Sequence, residues 1–448
     1  IQLSRTLRTQ TTGVLYVLDE PSIGLHPANV AGLIAVMRGL VAQGNSVVVV
    51  DHDTAIIEAA DEVLEIGPSA GAAGGRLINQ GSPAAIAKAP HSLIGPYLTG
   101  QADLIVRPTA KRATVTAKKW YGVTVTDRFN LHNLTATFPV NQLSAVSGFS
   151  GAGKSTLVFD ALVPALTATK AKPAPSFVQD WHRGGLRRVV AIDASPVGKN
   201  VRSTVATYTN ILDRLRDLFA SLPASQQRGY TASNFSYNVT AGACPTCGGT
   251  GQISLDIQYL PDMQQVCPTC QGRRYNPEVL EIKWQGQSIA DLLNLGVDEA
   301  LPVFADQPAI EQTLQTLHDM GLGYLHLGES TPSLSGGEAQ RLKLTAHMGK
   351  SQKGTLFVFD EPSVGLHPLD VATLLQVFQH LIDAGGTVLT IEHDLDVLAN
   401  ADYLLDLGPE GGRFGGEIVA SGTPQEVAQS QAGHTGQYLA AHLAHFAH

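Results

Sequence analysis

The chain has 448 residues, 44% of them hydrophobic, with 45 glycines, four cysteines and a formal net charge of −9. That length allows roughly three domains around a large buried core, and so much glycine suits an α/β protein with many tight turns. No apolar run approaches the ~20 residues of a membrane helix, no stretch has a signal-peptide pattern, and the acidic balance argues against a globally cationic nucleic-acid binder while leaving room for a local basic face.

The first landmarks in chain order are repeats. Asp19-Glu20-Pro21-Ser22-Ile23-Gly24-Leu25-His26-Pro27 returns as Asp360-Glu361-Pro362-Ser363-Val364-Gly365-Leu366-His367-Pro368, and Asp51-His52-Asp53 returns as Glu392-His393-Asp394. Gly67-Pro68 and Gly81-Ser82-Pro83 return as Gly408-Pro409 and Gly422-Thr423-Pro424. The offset is 341 throughout (19 to 360, 52 to 393, 67 to 408), the mark of an internal duplication with no net insertion between copies. In this register Ile1 stands opposite Leu342, just after a Ser-Gly-Gly-Glu element, and there is no initiator Met. The expectation is the C-terminal part of a longer protein.

Gln101 to Lys119, with Pro108 and scattered Lys and Arg, reads as a linker. Leu143-Ser144-Ala145-Val146-Ser147 then alternates as a short strand. It runs into Gly148-Phe149-Ser150-Gly151-Ala152-Gly153-Lys154-Ser155-Thr156, ahead of a helical stretch from Leu157 to Val163. This is the phosphate-loop pattern G-x-x-x-x-G-K-[ST] in its strand–loop–helix setting. Its glycines let backbone N–H groups turn toward phosphates, and the helix N-terminus adds a favourable dipole. The candidate nucleotide-binding residues are Gly148, Ser150, Gly151, Gly153, Lys154, Ser155 and Thr156. Lys154 is placed to reach the β/γ-phosphates and the Ser155 hydroxyl to ligate Mg²⁺.

Cys244-Pro245-Thr246-Cys247 and Cys267-Pro268-Thr269-Cys270 form a C-x₂-C-x₁₉-C-x₂-C pattern. Two such knuckles can close a tetrahedral Cys₄ zinc site, structural because no coordination position stays open. All the cysteines sit in these pairs, which favours metal in a reducing compartment over disulfides. Gln252 to Leu260 is expected to form a ribbon between the knuckles. Arg273-Arg274-Tyr275 beside it suits either DNA phosphates or a solvated face.

Leu334-Ser335-Gly336-Gly337-Glu338 opens a helix expected from Glu338 to Met348, so Ser335, Gly336 and Gly337 make a second anion site. It suits a γ-phosphate presented from another subunit or lobe. The strand Leu356-Phe357-Val358-Phe359 ends at Asp360, a candidate for the Mg²⁺ shell, and Glu361, which can polarise the attacking water. Thr387-Val388-Leu389-Thr390-Ile391 ends at Glu392-His393-Asp394, where His393 can meet the γ-phosphate side or orient that water. By the duplication, Asp19, Glu20 and His52 carry the same parts. In the tail, His442, His445 and His448 recur every third residue, which fits solvated helix positions better than a metal site.

Phosphate loop, signature, Asp-Glu pair and histidine, in this order, resemble the ABC ATPases, in which two lobes sandwich ATP and each lobe's signature loop completes the other's site. The zinc element lies within the 181 positions separating Lys154 from Ser335, where transporter ATPases usually have a shorter helical subdomain. An insertion of this kind looks like the UvrA family, the damage-recognition subunit of the bacterial excinuclease. Gly229-Tyr230, Asn234-Phe235-Ser236-Tyr237-Asn238-Val239, Tyr259-Leu260-Pro261-Asp262, Arg274-Tyr275-Asn276 and Gly321-Leu322-Gly323-Tyr324 look the same way. The resemblance covers nearly the whole chain.

The resemblance implies an α/β protein of ABC-type phosphate-loop lobes with a helical signature domain and an inserted Cys₄ zinc ribbon. Residues 1–100 would be the C-terminal part of the first lobe, 101–119 the linker, 120–169 and 334–430 the second lobe. Residues 170–333 would be the signature domain with a zinc module near 229–280, and 431–448 the tail. It further implies a cytoplasmic homodimer that uses ATP, Mg²⁺ and Zn²⁺ in nucleotide excision repair. Such a dimer senses damaged double-stranded DNA and meets its UvrB partner through parts preceding Ile1. Asp19, Glu20 and His52 would work with a phosphate loop outside this chain and with Ser335-Gly336-Gly337. Lys154, Ser155, Asp360, Glu361 and His393 would form the other site, able to bind nucleotide but slow to hydrolyse it alone.

Three departures stand out from the family pattern: Ala194 in Asp193-Ala194-Ser195-Pro196-Val197-Gly198, where Gln is usual; Ala241-Gly242-Ala243 before the first Cys, where Arg is common; and Glu329, where Gln is common. They keep in view a UvrA-like paralogue giving resistance to DNA-binding drugs. A transporter ATPase would need a permease-coupling surface, and a ribosome-associated ABC protein a charged linker; neither would need the zinc ribbon.

Overall fold

The computed structural model describes residues 12–68, 74–111, 114–115, 117–193, 195, 197–198, 200–255, 263–348, 351–430 and 433–447. Ala194, much of the ribbon between the zinc knuckles (256–262), His448 and the first eleven residues fall outside them. The chain divides into two compact units, one made of residues 1–194 and 349–448, the other of residues 195–348.

The first copy supplies strands β1 (Leu15–Asp19), β2 (Ser46–Val50), β3 (Val63–Gly67) and β4 (Arg76–Gly81). The middle of the chain adds β5 (Trp120–Arg128), β6 (Leu131–Pro139), β7 (Leu143–Gly148), β8 (Val178–His182) and β9 (Arg188–Ile192). The hairpin β10 (Gln252–Leu255) and β11 (Met263–Val266) lies in the second unit. The second copy closes the set with β12 (Thr355–Asp360), β13 (Thr387–Ile391), β14 (Tyr403–Gly408) and β15 (Glu417–Gly422).

In the first unit, six strands form a sheet ordered β15-β14-β7-β13-β12-β9, with only the edge strand β15 antiparallel. β12, β13 and β14 are mostly apolar, and β7, whose sequence alternates, has Ser144 and Ser147 buried along with its apolar residues, so nearly every residue of the four strands is buried, as a parallel sheet covered on both faces requires. An antiparallel sheet, β6-β5-β8, packs Tyr121, Val123, Val125 and Phe138 into the same core as Val146, Leu157, Val158 and Leu405. The helix Pro368–Asp383 starts with proline, whose missing N–H costs nothing there, and the His367 ring accepts the Leu369 N–H. Its apolar stripe, Val371, Leu374, Leu375, Phe378 and Leu381, is buried.

The duplication is visible in backbone register. β1 pairs with β2 from Leu15↔Ser46, and β12 with β13 from Leu356↔Thr387. β3 pairs with β4 from Val63↔Gly81 with an irregularity after Glu65; β14 pairs with β15 from Leu404↔Gly422 with the same irregularity after Asp406. One difference stands out. In the second copy β7 lies between β13 and β14, whereas in the first copy β1-β2 and β3-β4 are separate two-stranded sheets.

The second unit is largely helical, with helices Ile211–Ala220 and Pro308–Asp319 burying Ile211, Leu215, Phe219, Ile310, Leu314 and Leu317. The signature helix spans Gly336–Leu344 and tightens into a 3₁₀ turn over Thr345–His347, so it starts two residues earlier than its sequence suggests. The tail forms a helix, His434–His445, within the first unit.

Candidate nucleotide and metal sites

The phosphate loop leaves β7 at Gly148, whose φ of 133° and close approach to β14 exclude a side chain: a Cβ there would overlap the Leu407 carbonyl. Gly151 and Gly153 also hold positive φ, so the loop turns its backbone as a phosphate cradle needs. The turn after it is widened, with Val163 N–H bonded five residues back to the Val158 carbonyl. Lys154 is 6% exposed, and its Nζ donates to the carbonyls of Gly148 (2.9 Å) and Phe149 (3.2 Å). Burial pulls its pKa down to about 8, against the opposing pull of Glu361, Asp406 and Asp360. Ser155 is exposed at the helix start and its side chain makes no capping bond, and Ser150 is exposed on the loop.

Asp360 ends β12 and Glu361 follows it with φ of 45°; Glu20, its counterpart after Asp19 on β1, has φ of 43°. A left-handed backbone on a glutamate costs energy and persists only where the surroundings hold it, so its recurrence in both copies marks a shaped site. His393, nearly buried, lies with Nε2 3.3 Å from Glu361 Oε1, and the matching His52–Glu20 distance is 3.7 Å. Burial holds the His393 pKa below its ordinary value, against the pull of Glu361. Asp360 is pushed up by burial and then by the neighbouring carboxylates of Glu361 and Asp193, with Lys154 opposing. Crowded carboxylates beside a hydroxyl-bearing phosphate loop are the donor set a hard divalent cation takes, so Asp360 and Ser155 fit Mg²⁺.

Two further residues organise this region; they belong to the repeated acid-His-Asp motif, which by itself assigns them no role. The Glu392 carboxylate, fully buried and with its pKa raised to about 8 by burial, accepts Ser363 N–H (3.0 Å), Ser363 Oγ–H (2.7 Å) and His393 N–H (3.0 Å). It ties the loop after Glu361 to the histidine. Asp51 does the same in the first copy, accepting from Ser22 N, Ser22 Oγ and His52 N. The signal was available in the sequence, since both serine–acid pairs are 29 residues apart. A cavity of about 520 Å³ lies between the copies, and Glu20, His52, Glu361 and His393 all line it.

In the second unit, Ser335 and Glu338 close a reciprocal cap, Ser335 N–H donating to Glu338 Oε2 at 2.7 Å and Glu338 N–H to Ser335 Oγ at 3.3 Å. Tyr324 Oη fixes the other carboxylate oxygen at 2.6 Å. Ser335 is exposed, with Gly336 and Gly337 forming the first helical residues, so their N–H groups point along the N-terminal dipole.

All four cysteines are free of disulfides, and their Sγ atoms lie within 4.8 Å of one another. Cys244–Cys267 and Cys247–Cys270 are 4.0 and 3.7 Å apart. A tetrahedral site with Zn–S near ~2.3 Å has edges of about 3.8 Å, so the cluster fits zinc. Gly249 must be glycine here because a Cβ would strike the Tyr237 carbonyl. The Arg273-Arg274-Tyr275 trio divides: Arg273 is exposed, Arg274 donates to the Val201 carbonyl (3.0 Å) and lies over the Tyr237 ring, and Tyr275 is fully buried. Of the two charges, Arg273 is the more exposed to solvent, and Arg274 is half-buried. Of the tail histidines, His445 is exposed as expected while bonding the Tyr97 carbonyl at 3.1 Å, whereas His442 is half-buried and bonds Asp396 Oδ1 at 2.7 Å; His448 lies outside the described residues.

No family model matches the chain. It is 46% identical over 445 residues to UvrABC system protein A of Thermus thermophilus and 44% identical over 455 residues to that of Aquifex aeolicus. These alignments take in 98% and 99% of this chain but 46% and 48% of the relatives, so the chain spans about half their length. Among solved structures, UvrA2 of Deinococcus radiodurans superposes with a TM-score of 0.91 at 43% identity, over 99% of this chain and 53% of that one. Ribosome-bound archaeal Pelota and ABCE1 gives a TM-score of 0.51 at 16% identity over 93% of this chain, a likeness of fold alone. Across nearly its whole length the chain is homologous, in sequence and in fold, to about half of UvrABC system protein A.

Proposed function

We propose that this chain carries one complete set of ATP-hydrolysing residues of a UvrA-type DNA-damage recognition ATPase in nucleotide excision repair. The observation that carries the reading is the convergence of Lys154, Asp360, Glu361 and His393 in one unit of a chain whose relatives are UvrABC system protein A. Backbone N–H groups of Gly148 to Thr156 hold the phosphates, and the Lys154 ammonium neutralises the β/γ charge. Ser155 and Asp360 would hold Mg²⁺, which when bound would neutralise charge at the phosphoryl oxygens. Glu361 takes a proton from water as its oxygen bonds the γ-phosphorus and the bond to the ADP oxygen breaks; His393 holds the Glu361 carboxylate in place.

Asp19, Glu20 and His52 are the corresponding parts of a second ATP site. Ser335, Gly336 and Gly337 are a signature loop, and Cys244, Cys247, Cys267 and Cys270 hold a structural zinc. The protein works as a cytoplasmic homodimer on damaged duplex DNA with a UvrB-type partner. The test is fluorescence anisotropy of the intact parent protein with matched duplexes, one carrying a bulky adduct, with and without ATP. Tighter, ATP-modulated binding to the adduct is expected; equal or absent binding to both overturns the reading. Ala194, where the family commonly has Gln, favours a second reading, a UvrA-like paralogue protecting against DNA-binding drugs. Preference for a drug-loaded duplex over a covalent adduct in the same titration would select it.

A further inference from the structure

His26 belongs to the first copy yet lies among residues of the second copy's nucleotide site. It is 1% exposed, its ring edge-on to His393 at 5.8 Å and 5.9 Å from the Phe149 ring of the phosphate loop. Its Nδ1 accepts the Ala28 N–H (3.2 Å), starting the helix Pro27–Ala42. That fixes the tautomer: the proton is on Nε2, which faces Thr435 Oγ1 at 3.1 Å. Thr435 donates onward to Asp406 Oδ1 (2.6 Å), and the same oxygen receives Ser147 Oγ–H (2.9 Å). Ser147 directly precedes Gly148, where the phosphate loop begins.

The donors all run one way, from His26 to Thr435 to Asp406, and every member is buried. Such chains polarise and fix one another more than isolated pairs do. The duplication supplies an internal control. His367 is the counterpart of His26, caps its own helix in the same way and lies edge-on to His52 at 5.9 Å. At an offset of 341, however, the counterpart of Thr435 is Ile94 and that of Asp406 is Glu65. Glu65 instead accepts the backbone N–H groups of Leu93 and Ile94. The relay therefore exists on one side only.

We propose that His26 is a positioning residue for the nucleotide site built around Lys154, acting through Thr435, Asp406 and Ser147 to fix the start of the phosphate loop, so that the first copy sets the affinity of the second. This rests on the nucleotide-site reading above. Burial keeps the ring neutral, with a pKa pushed down to about 3, so the relay holds its donor direction across the ordinary pH range.

The test is Mg²⁺-dependent binding of a fluorescent ADP analogue by the 448-residue chain. His26→Asn retains the helix cap through its shorter amide but cannot reach Thr435; His26→Gln reaches Thr435 and gives up the cap. His26→Asn is expected to weaken binding about five- to tenfold, the loss of one buried hydrogen bond, and His26→Gln to restore it to within about twofold. Thr435→Ile should match His26→Asn, and the double substitution should add nothing further. His367→Asn should leave affinity unchanged. Thermal melts confirm that each variant folds. Equal weakening by His26→Asn and His26→Gln, or unchanged affinity in His26→Asn and Thr435→Ile, overturns the relay while leaving the nucleotide site intact. Absence of binding by the unsubstituted chain would overturn that site and the relay together.

Discussion

The two copies meet the same structural need at one corner in opposite ways. In the first, Arg38 donates to the Ala59 carbonyl and to Asp61 Oδ1 (2.7 Å), with both side chains well exposed. In the second, the matching carbonyl of Asn400 and carboxylate of Asp402 are served by Arg107, from the segment read as a linker, at 2.6 and 3.0 Å. That guanidinium is fully buried, and Asp402 also receives the Leu143 N–H at the start of β7. The residue matching Arg38 is Gln379, whose Oε1 takes Arg107 Nε–H. The hydrogen-bond pattern is nearly the same, but the solvent differs, and solvent decides what the pair contributes. Arg107→Ala leaves a buried carboxylate unpaired and should cost about 3–5 kcal/mol, whereas Arg38→Ala should cost less than ~1 kcal/mol. Urea unfolding of the two variants measures the gap; equal midpoints would mean that the second-copy corner is wetter than its burial indicates.

The sheets repeat the lesson with apolar groups. Leu356, Val358, Leu389, Ile391, Leu405 and Leu407 form the core beneath β7 and the helix after the phosphate loop. Their counterparts, Leu15, Val17, Val48, Val50, Leu64 and Ile66, are all exposed, because among the described residues no strand lies between β2 and β3 as β7 does between β13 and β14. Leu405 is 1% exposed and Leu64 59%. Leu405→Ala should cost about 2–5 kcal/mol, but Leu64→Ala well under ~1 kcal/mol because little burial is lost. A comparable loss from Leu64→Ala would show that the first-copy face is covered in solution.

This contrast also explains what could be read from the chain beforehand. Strand-ending motifs such as Asp360-Glu361, the loop from Gly148 to Thr156 and the cysteine pairs are contiguous, and their spacing carries the chemistry. Arg107 and Asn400 meet across 293 positions, and His26 and Thr435 across 409, so no local pattern announces either contact. Tyr275, in a trio whose sequence suits a DNA-facing or solvated surface, is buried for a related reason. The chain past Cys270 turns back to bridge Ala243, which directs the ring inward. In sequence Arg107 is one more charge in a linker, because its acidic partner lies 295 residues away.

If the copies differ as described, one nucleotide should bind per chain, because only the second copy contains a phosphate loop here. Lys154→Ala should lower that affinity about a hundredfold, equivalent to roughly 2.7 kcal/mol, by removing a buried charged donor to phosphate. Titration calorimetry giving two nucleotides per chain, or one retained after Lys154→Ala, would break the comparison between the copies.

The smallest expected effect follows from Lys154 as well. Its pKa in the folded chain is lowered to about 8, below the ordinary value of 10.5, because burial penalises the ammonium more than Glu361, Asp406 and Asp360 favour it. Between these values the unfolded chain holds more protons, so this group makes the nucleotide-free chain more stable as pH rises from about 8 toward 10.5. Phosphate binding selects the charged ammonium and runs the other way. Nucleotide affinity should fall about eightfold between pH ~7.5 and ~9, with uptake of nearly one proton on binding at the upper end. His26 and His393 are held below their ordinary values by burial and stay neutral throughout that window, whereas Glu392, raised to about 8 by burial, ionises within it, so the Lys154 contribution is read in a Glu392→Gln background. Calorimetry in buffers of different ionisation enthalpy reads the proton directly. Flat affinity with no proton uptake would mean that Lys154 remains an ammonium at pH ~9 and that its surroundings favour the charge more than its burial suggests.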